Sequence, residues 1–341
     1  MEVSTGEVLL HVEDVVKHFP VRSGLFGGKG AVHAVDGVSL ELHRGEALGL
    51  VGESGCGKST LASLLMLLER PTSGRILFQG RDIFAFDRRE AKAYRRQVQM
   101  VFQDTVSSLD PRMTVADIIA EPWTIHRDVV TRRARQSETR DLLARVGLDP
   151  GHANRYPHQF SGGQRQRIGI ARALALDPEV LICDEPVSAL DVSVQAQVLN
   201  LLKDLRDDFQ LSYIFIAHDL SVVRQVADRV AVMYLGKIVE FGEEEDVLLR
   251  PSHPYTQALL SALPSPERER RGDARRIILS GDLPSPTNPP SGCRFRTRCW
   301  KAQDLCAQEE PALIDRGTGH PAACHFVDVP SATDPGALSV D

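Results

Sequence analysis

The sequence predicts an α/β protein with a mostly parallel central sheet, followed by a small tail. Two short, fully apolar segments, "EVLICDEP" and "SYIFIAH", are separated by the helical pattern "SVQAQVLNLLKDLRDDF". A third apolar segment, "ALGLV", runs into a glycine-rich turn and another helical pattern. Apolar strands that alternate with helices are typical of parallel sheets covered on both faces. Beyond about residue 250, stretches such as "LPSPERERRGDARR" predict linkers and loops.

The other elements follow from their residue patterns. "AVHAVDGVSLELH" alternates in a way that predicts strands of period two. "KSTLASLLMLLER" predicts a helix that Pro71 closes. "GRILFQGRDI" predicts a hairpin, residues 114–174 show a mainly helical pattern, and "VAVMYLGKIVEFG" predicts two more strands.

Composition and charge exclude several classes of protein. The chain has 341 residues, 42% of them hydrophobic, and a formal net charge of −6. An acidic chain has no overall field that favours nucleic acid, so we expect no nucleic-acid partner. The start, "MEVSTGEVLL", lacks the pattern of a signal peptide, and no apolar run approaches the roughly 18 to 20 residues that span a bilayer. We therefore expect a cytosolic protein with reduced thiols, whose membrane role would depend on a partner.

The segment "GESGCGKS" predicts a phosphate-binding loop. It matches the pattern GxxxxGK(S/T) and lies between a predicted strand and a predicted helix. Its glycines let backbone N–H groups face an anion, Lys58 can reach the β- and γ-phosphates of a nucleotide, and the Ser59 hydroxyl can bind Mg²⁺. The predicted nucleotide-binding residues here are Gly52, Glu53, Ser54, Gly55, Cys56, Gly57, Lys58, Ser59 and Thr60.

Two carboxylates complete the predicted chemistry. The apolar strand in "VLICDEP" ends at Asp184 and Glu185, which places both at the carboxyl edge of the sheet, beside the phosphate loop. Asp184 would hold Mg²⁺, directly or through water, and Glu185 would orient and deprotonate the attacking water. The sequence therefore predicts a nucleoside triphosphatase.

The segment "FSGGQRQR" narrows the class of enzyme. Two adjacent glycines precede a helix rich in amides and arginines, which predicts a second anion-binding helix N-terminus. With SGGQ about twenty residues before "CDEP", the sequence resembles the ATP-binding subunit of an ATP-binding cassette (ABC) transporter. Phe160 stands where this family more often has leucine.

The resemblance implies two ATP molecules held between the subunits of a head-to-tail dimer. The residues implied to contact the γ-phosphate held by the partner are Ser161, Gly162, Gly163 and Gln164. The segment implied to cross the dimer seam comprises Ser188, Ala189, Leu190 and Asp191. Closure that depends on ATP would make nucleotide binding a dimerisation switch.

The same resemblance assigns the remaining site residues. Gln103, in "VFQD", matches the glutamine that senses Mg²⁺ and water near the contact with the membrane subunits. His218, in "IFIAHDL", matches the switch histidine that holds the γ-phosphate and Glu185. Phe19 is the candidate for the aromatic ring that stacks on adenine, with a core phenylalanine as the alternative. Mg²⁺ would be bound through Ser59, Gln103 and Asp184.

The resemblance also implies an architecture and a set of partners. Residues 1–250 would form the nucleotide-binding domain, with a RecA-like parallel core, an antiparallel β subdomain and a helical subdomain at about 104–172. Residues 251–341 would form a tail, in which "HPYTQALLSALP" and "GDLPSPTNPPSGCRFRTRC" resemble the dipeptide, oligopeptide and nickel importer ATPases. Such ATPases pair with an identical or different ATPase on the cytoplasmic face of the membrane. They also work with two permease subunits and an extracytoplasmic solute-binding protein.

Four cysteines lie in the tail, at Cys293, Cys299, Cys306 and Cys324. Thiolates in a reducing compartment suit a metal or an iron–sulfur cluster better than disulfides, and the CxxC pairs usual in zinc sites are absent. The spacing resembles that of the cysteines that hold a [4Fe–4S] cluster in the peptide importers, although Trp300 follows the second cysteine where proline is common. Zinc and free thiols are the alternatives. His320 and His325 flank Cys324 and could substitute as ligands, but the favoured interpretation is that they are surface polar residues.

These observations favour an ATPase subunit that powers the import of di- or oligopeptides. The alternatives are an importer of nickel or other small solutes, and a soluble ABC ATPase with a regulatory iron–sulfur tail. A soluble ABC ATPase that acts on ribosomes usually carries two cassettes, and one that acts in DNA repair carries a long coiled coil. This chain has one phosphate loop and no extended heptads.

Overall fold

Ten strands form two sheets in the part of the chain that this computed structural model describes, residues 6–22, 29–104, 108–263 and 277–327. The strands are β1 (Val8–Arg22), β2 (Lys29–His43), β3 (Ala47–Val51), β4 (Ser73–Phe78), β5 (Arg81–Asp82), β6 (Val98–Val101), β7 (Val180–Asp184), β8 (Ser212–Ala217), β9 (Arg229–Tyr234) and β10 (Lys237–Glu243). The helices are α1 (Lys58–Leu65), α2 (Arg88–Gln97), α3 (Val115–Ile125), α4 (Arg135–Arg145), α5 (Gly162–Leu174), α6 (Val192–Phe209), α7 (Leu220–Val223), α8 (Glu244–Leu249), α9 (Pro254–Ser261) and α10 (Leu305–Gln308).

The larger sheet has six strands in the order β10-β9-β3-β8-β7-β6. All neighbours are parallel except β10, which pairs antiparallel with β9 at one edge. The carboxyl ends of β3, β6, β7 and β8 therefore lie along one edge of the sheet, where ligands bind in open parallel sheets. This arrangement confirms the predicted parallel core and brings four sequence motifs to the same edge.

Both faces of this sheet are buried, which explains its continuous apolar strands. In β8, Ile214 and Ile216 face a core that contains α1 and residues of β1, β2 and β4. Tyr213, Phe215 and Ala217 face the opposite core, which contains α5, α6 and residues of α3. Successive side chains of a strand point to opposite faces, so one apolar run serves both cores.

The smaller sheet is antiparallel, with the order β2-β1-β4-β5. Its longest pair lies at one edge, where β1 pairs antiparallel with β2 from Val8↔His43 to Arg22↔Lys29. The hairpin predicted from "GRILFQGRDI" is the β4–β5 pair. These findings confirm the antiparallel subdomain.

Helices α3, α4 and α5 form the predicted helical region, together with short 3₁₀ turns at Pro150–Asn154 and Pro157–Gln159. The indole N–H of the buried Trp123 donates to the Ala175 carbonyl oxygen at 2.5 Å, which ties α3 to the end of α5. Arg172 donates to the Ser108 carbonyl oxygen at 2.7 Å. The boundaries 104–172 proposed for this region stay a prediction.

Helix α1 is shorter than its pattern predicts. It ends at Leu65 rather than continuing to Pro71. The hydroxyl of the buried Tyr94 donates to the Leu65 carbonyl oxygen at 2.5 Å, and Leu67 adopts a left-handed conformation with φ 54°. A capped carbonyl and a left-handed residue are typical of a helix C-terminus, so tertiary contact rather than proline ends this helix.

Residues 277–327 contain one short helix, α10, and pack against the larger sheet. The interpretation of His320 as a surface residue is wrong, because it is only 2% exposed and its Nε2 lies 2.7 Å from the buried Glu240 carboxylate of β10. His325 is part-exposed, near the Glu309 carbonyl oxygen. Among the described residues, no helix is long and apolar enough to cross a bilayer.

We predict that Gly49→Ala destabilises the fold. Gly49 lies at the middle of β3, and an added Cβ would lie 2.2 Å from Cγ1 of Val223 and 3.2 Å from Cβ of Ala227. Overpacking of this kind costs about 1–3 kcal/mol. Thermal and urea denaturation should show a lower stability, whereas Gly30→Ala, with no atom within 4 Å of the new Cβ, should be close to neutral. Equal stability of the two variants would contradict the packing of β3 described above.

Candidate functional site

The predicted phosphate loop connects β3 to α1, and its backbone is pressed against two strands. An added Cβ at Gly52 would lie 2.1 Å from the Met233 carbonyl oxygen of β9. At Gly57, which has φ 113°, it would lie 2.0 Å from the Ala34 carbonyl oxygen of β2. The Cys56 carbonyl oxygen accepts from the backbone N–H of Gly236 at 2.8 Å. Glycine is therefore required at both positions for the loop to reach its place.

The Lys58 ammonium group lies inside this loop. It donates to the carbonyl oxygens of Gly52 at 2.7 Å and Glu53 at 3.1 Å, and the side chain is almost fully buried. The buried Cys56 thiol lies 3.8 Å from the ammonium nitrogen, and burial raises the pKa of that thiol. Ser54, Gly55 and Ser59 are exposed, while Thr60 is part-buried. A cation and the start of α1 thus meet in one concave loop, an arrangement that suits phosphate.

Two oxygen donors lie beside the loop. The Ser59 hydroxyl is 3.5 Å from Oδ1 of Asp184, at the end of β7. Burial raises the pKa of the Asp184 carboxyl, and the hydrogen bond from Ser59 opposes this change. A hydroxyl and a carboxylate are the oxygen ligands that Mg²⁺ prefers, and a cation here would stabilise the ionised Asp184.

Three side chains predicted to act in hydrolysis lie together at the same edge. Oε2 of Glu185 accepts from the Gln103 amide at 3.0 Å and lies 3.3 Å from Nδ1 of His218. The backbone of Glu185 is left-handed, with φ 44°, and its N–H donates to the Ile216 carbonyl oxygen at 2.9 Å. A strained residue held by its neighbours is common at functional sites. Of the three proposed Mg²⁺ ligands, Gln103 contacts Glu185, whereas Ser59 and Asp184 contact each other.

The signature segment begins α5 with a complete capping box. The Ser161 hydroxyl accepts from the backbone N–H of Gln164 at 3.3 Å, and the Gln164 side chain accepts from the Ser161 N–H at 3.0 Å. Ser161 and Gly162 are exposed, whereas Gly163 is buried against Val194. No hydrogen bond or ion pair joins this segment to residues 52–60 within the described chain. The capping box therefore presents an exposed helix N-terminus that is not bonded to the chain's own phosphate loop.

The predicted seam segment lies between Glu185 and α6. The Ser188 hydroxyl donates to the Glu185 carbonyl oxygen at 3.1 Å, which connects the segment to the hydrolysis residues. Ser188, Ala189 and Asp191 are exposed, and Leu190 lies next to Gly162. Val192, the first residue of α6, is 84% exposed. This continuous exposed surface is compatible with a subunit contact.

Phe19 lies in β1, opposite Val32 of β2, and is part-buried. The Lys17 ammonium group is 4.7 Å from the centre of its ring and also bonds the Glu69 carboxylate. One face of the ring is thus covered by a cation that has its own partner. The role of Phe19 in adenine stacking stays a prediction.

The sequence reasoning missed two residues that contact the phosphate loop from the tail region. Arg298 forms a bidentate salt bridge with the Glu53 carboxylate, with N–O distances of 2.7 and 3.1 Å. The Tyr255 hydroxyl accepts from the Glu53 backbone N–H at 2.8 Å. Neither residue belongs to a periodic pattern or a motif that marks phosphate chemistry, so the sequence carried no signal for them.

Comparison with known proteins agrees with this geometry. Residues 35–188 match the family model "ABC transporter", and residues 239–306 match "Oligopeptide/dipeptide transporter, C-terminal region". The chain is 53% identical to the oligopeptide transport ATP-binding protein AppF of Bacillus subtilis, over 96% of this chain and 99% of that protein. It is 51% identical to the dipeptide transport ATP-binding protein DppF of Escherichia coli, over 96% and 97%.

Two solved structures share the fold. One is a dimeric ATP-binding cassette in a post-hydrolysis state with ADP and Pi, with a TM-score of 0.60 and 28% identity over 69% of this chain and 99% of that chain. The other is CbiO1 of Clostridium perfringens, with a TM-score of 0.62 and 25% identity over 78% and 99%. These structures confirm the ABC cassette architecture. The chain belongs to the family of ABC transporter ATP-binding proteins, in the group with the oligopeptide/dipeptide transporter C-terminal region, and it is an ATPase.

Proposed function

We propose that this chain is the subunit that powers the import of di- or oligopeptides by binding and hydrolysing ATP. The observation that carries the proposal is the contact of Glu185 with Gln103 and His218 beside the Lys58 loop. Peptides are favoured as the cargo because the AppF and DppF relatives are named for oligopeptide and dipeptide transport.

The residues divide the chemistry between binding and proton transfer. Lys58 and the loop N–H groups would bind the phosphates, and Mg²⁺ held by Ser59 and Asp184 would neutralise developing charge. Glu185 would accept the proton of the attacking water. The carboxylate is kept in place by the Gln103 amide and by His218, which would also hold the γ-phosphate.

The exposed start of α5 supports a shared catalytic centre. Its N–H groups and the Ser161 hydroxyl lie at an exposed helix N-terminus, which is suited to an anion that this chain does not itself bind. We infer that they complete the site of a second ATPase subunit, identical or different. ATP would then hold two subunits together, and hydrolysis would release them.

The remaining partners follow from the transport role. The ATPase pair would bind two membrane permease subunits, and a solute-binding protein outside the membrane would deliver the peptide to them. Through its contact with the permease subunits, this chain would lie peripherally at the cytoplasmic face.

We also propose that Cys293, Cys299, Cys306 and Cys324 hold a [4Fe–4S] cluster. All four are free, and each lies within electrostatic reach of at least one other. The sulfurs of Cys299 and Cys324 accept backbone N–H groups from the residue two positions later, each at 3.4 Å. Hydrogen bonds of this kind stabilise thiolates, so the donor set fits a cluster.

The spacing of the sulfurs fits one zinc ion less well. Four thiolates around one zinc lie roughly 3.8 Å apart, given a Zn–S bond of about 2.3 Å. Among the described residues, the only trio with ligand atoms mutually within 4.8 Å is His18, His33 and Asp36, which contains no cysteine. A cluster held by the four cysteines would not need all four sulfurs around one ion, and it would stabilise a segment that has little core of its own.

We predict that Glu185→Gln traps a dimer at saturating Mg-ATP. The amide keeps the hydrogen-bonding shape of Glu185 but cannot take up the proton of the water, so hydrolysis should fall by at least about a hundredfold. Light scattering after size exclusion should give twice the monomer mass with Mg-ATP and the monomer mass without nucleotide. A monomer in both conditions would contradict a site shared between two identical subunits.

We predict that Gly162→Ala prevents this dimerisation without destabilising the chain. The added Cβ would lie 3.4 Å from Cδ2 of Leu190, an ordinary contact, but it adds a methyl group to the exposed start of α5. In the Glu185→Gln background, the variant should stay monomeric with Mg-ATP while its melting temperature and Mg-ADP affinity stay unchanged. Normal dimerisation would show that this helix start does not bind the partner's nucleotide.

We predict that Cys299→Ser and Cys306→Ser lose iron and acid-labile sulfide from protein purified without oxygen. Serine is a poor ligand for a cluster, and loss of one thiolate exposes the irons to solvent. Iron and sulfide analysis with absorbance spectra should detect the loss, whereas His325→Ala should keep the cluster. Unmodified protein without iron, or with one zinc per chain, would overturn the cluster assignment.

A further inference from the structure

The second residue of the phosphate loop, Glu53, has all its polar groups bonded. Its carbonyl oxygen accepts from the Lys58 ammonium group at 3.1 Å. Its backbone N–H donates to the Tyr255 hydroxyl at 2.8 Å, and its carboxylate accepts from both terminal nitrogens of Arg298. Glu53 therefore connects the lysine that faces phosphate to two residues beyond position 250.

Arg298 is held rigidly on the tail side. It directly precedes Cys299, and only 10% of its side chain is exposed. Phe295, in the same turn, is fully buried, with ring centres 5.2 Å from Tyr234 and 5.5 Å from Tyr255. The Arg298 side chain therefore lies beside a packed aromatic cluster. This cluster also contains Tyr255, the other residue that bonds Glu53.

Arg294 fixes the other end of this turn. Its guanidinium is paired with the Asp36 carboxylate of β2 and donates to the Leu235 carbonyl oxygen. Gly236, which follows Leu235, donates its N–H to the Cys56 carbonyl oxygen at 2.8 Å. The Gly236 carbonyl oxygen accepts from the Asp36 N–H, also at 2.8 Å. The tail turn, residues 293–298, therefore contacts the phosphate loop directly through Arg298. Through Arg294, it also contacts Asp36 and Leu235, which adjoin the loop's partner Gly236.

The charge of Glu53 makes this support necessary for an anionic ligand. A carboxylate at the mouth of a phosphate loop repels phosphate in a partly desolvated site. Its pairing with Arg298 offsets that charge, and the hydrogen bonds to Glu53 raise the pKa of the guanidinium, which stays protonated. The bidentate geometry also fixes the orientation of the Glu53 carboxylate, which a point charge such as a lysine ammonium group would not do.

We propose that Arg298 is a positioning residue for ATP binding: through Glu53, the tail holds the phosphate loop and Lys58 in the geometry that binds nucleotide. This role goes beyond peptide import, because it concerns the affinity of a single chain for nucleotide and holds for any transported solute. It also explains why the tail turn contacts the loop.

The test is the Mg-ADP affinity of the full chain, measured by calorimetry. Arg298→Ala should raise the dissociation constant by about five- to thirtyfold, as expected for the loss of a charge-assisted pair. The KM for ATP should rise in parallel, while kcat at saturating ATP should change less than about twofold. Arg296→Ala is the matched control, because Arg296 lies in the same turn and its side chain bonds Ser291 rather than the phosphate loop. Unchanged affinity in Arg298→Ala would overturn the proposal.

A second comparison separates positioning from simple loss of folding. In Arg298→Ala, the Glu53 carboxylate stays unpaired, so adding Glu53→Gln should remove its repulsion of phosphate and recover part of the lost Mg-ADP affinity, without restoring the loop geometry that the pair maintains. A general unfolding of the tail would not be repaired by a change in the phosphate loop. A double variant no better than Arg298→Ala would count against the pair.

Tyr255→Phe provides an independent measurement should Arg298→Ala fail to fold. It removes only the hydroxyl that accepts from the Glu53 N–H and keeps the aromatic packing. We expect a three- to tenfold rise in the Mg-ADP dissociation constant. Unchanged affinity would contradict the proposal. Because these assays use one chain and no transport, they can fail while peptide import stands, and the reverse is also true.

Discussion

The position of the phosphate loop depends on two contacts that leave no room for a side chain. Gly52 lies against a carbonyl oxygen of β9 and Gly57 against one of β2, at distances that any Cβ would reduce to about 2 Å. These two strands belong to different sheets. The loop is therefore closed in by both sheets, and any shift of one sheet relative to the other would change the space around Lys58, where the proposed mechanism places phosphate.

The contact between the residues proposed for hydrolysis depends on strand register rather than on nearness in the sequence. Val101 pairs with Cys183 across β6 and β7, and Asp184 pairs with Ile216 across β7 and β8. Residues just beyond these strand ends must then meet, as Gln103, Glu185 and His218 do. The start of α5 is exposed and has a complete capping box, and the proposed mechanism assigns it to the site of a second subunit.

The fold and the local motifs could be predicted because each leaves a pattern in consecutive residues. Apolar runs in β3, β7 and β8 indicated a doubly covered sheet, and the spacing of glycines with Lys58 indicated the loop. The end of α1, the burial of His320 and the pair of Glu53 with Arg298 could not be predicted. Each depends on a single polar contact between distant segments, and the last one joins residues 245 positions apart.

The tail also completes the core of the ATPase region, which its sequence pattern does not indicate. Glu240 of β10 is fully buried and accepts from the Ser252 N–H at 2.5 Å, the His253 N–H at 3.2 Å and the His320 ring at 2.7 Å. Loss of such partners from a buried carboxylate lowers the free energy of unfolding by several kcal/mol. Removing the tail would therefore leave an uncompensated charge beside β10 and an unpaired Glu53 in the phosphate loop. The change in composition near residue 250 marks the start of a loop-rich segment. The interactions that stabilise the phosphate loop nevertheless join residues on both sides of position 250.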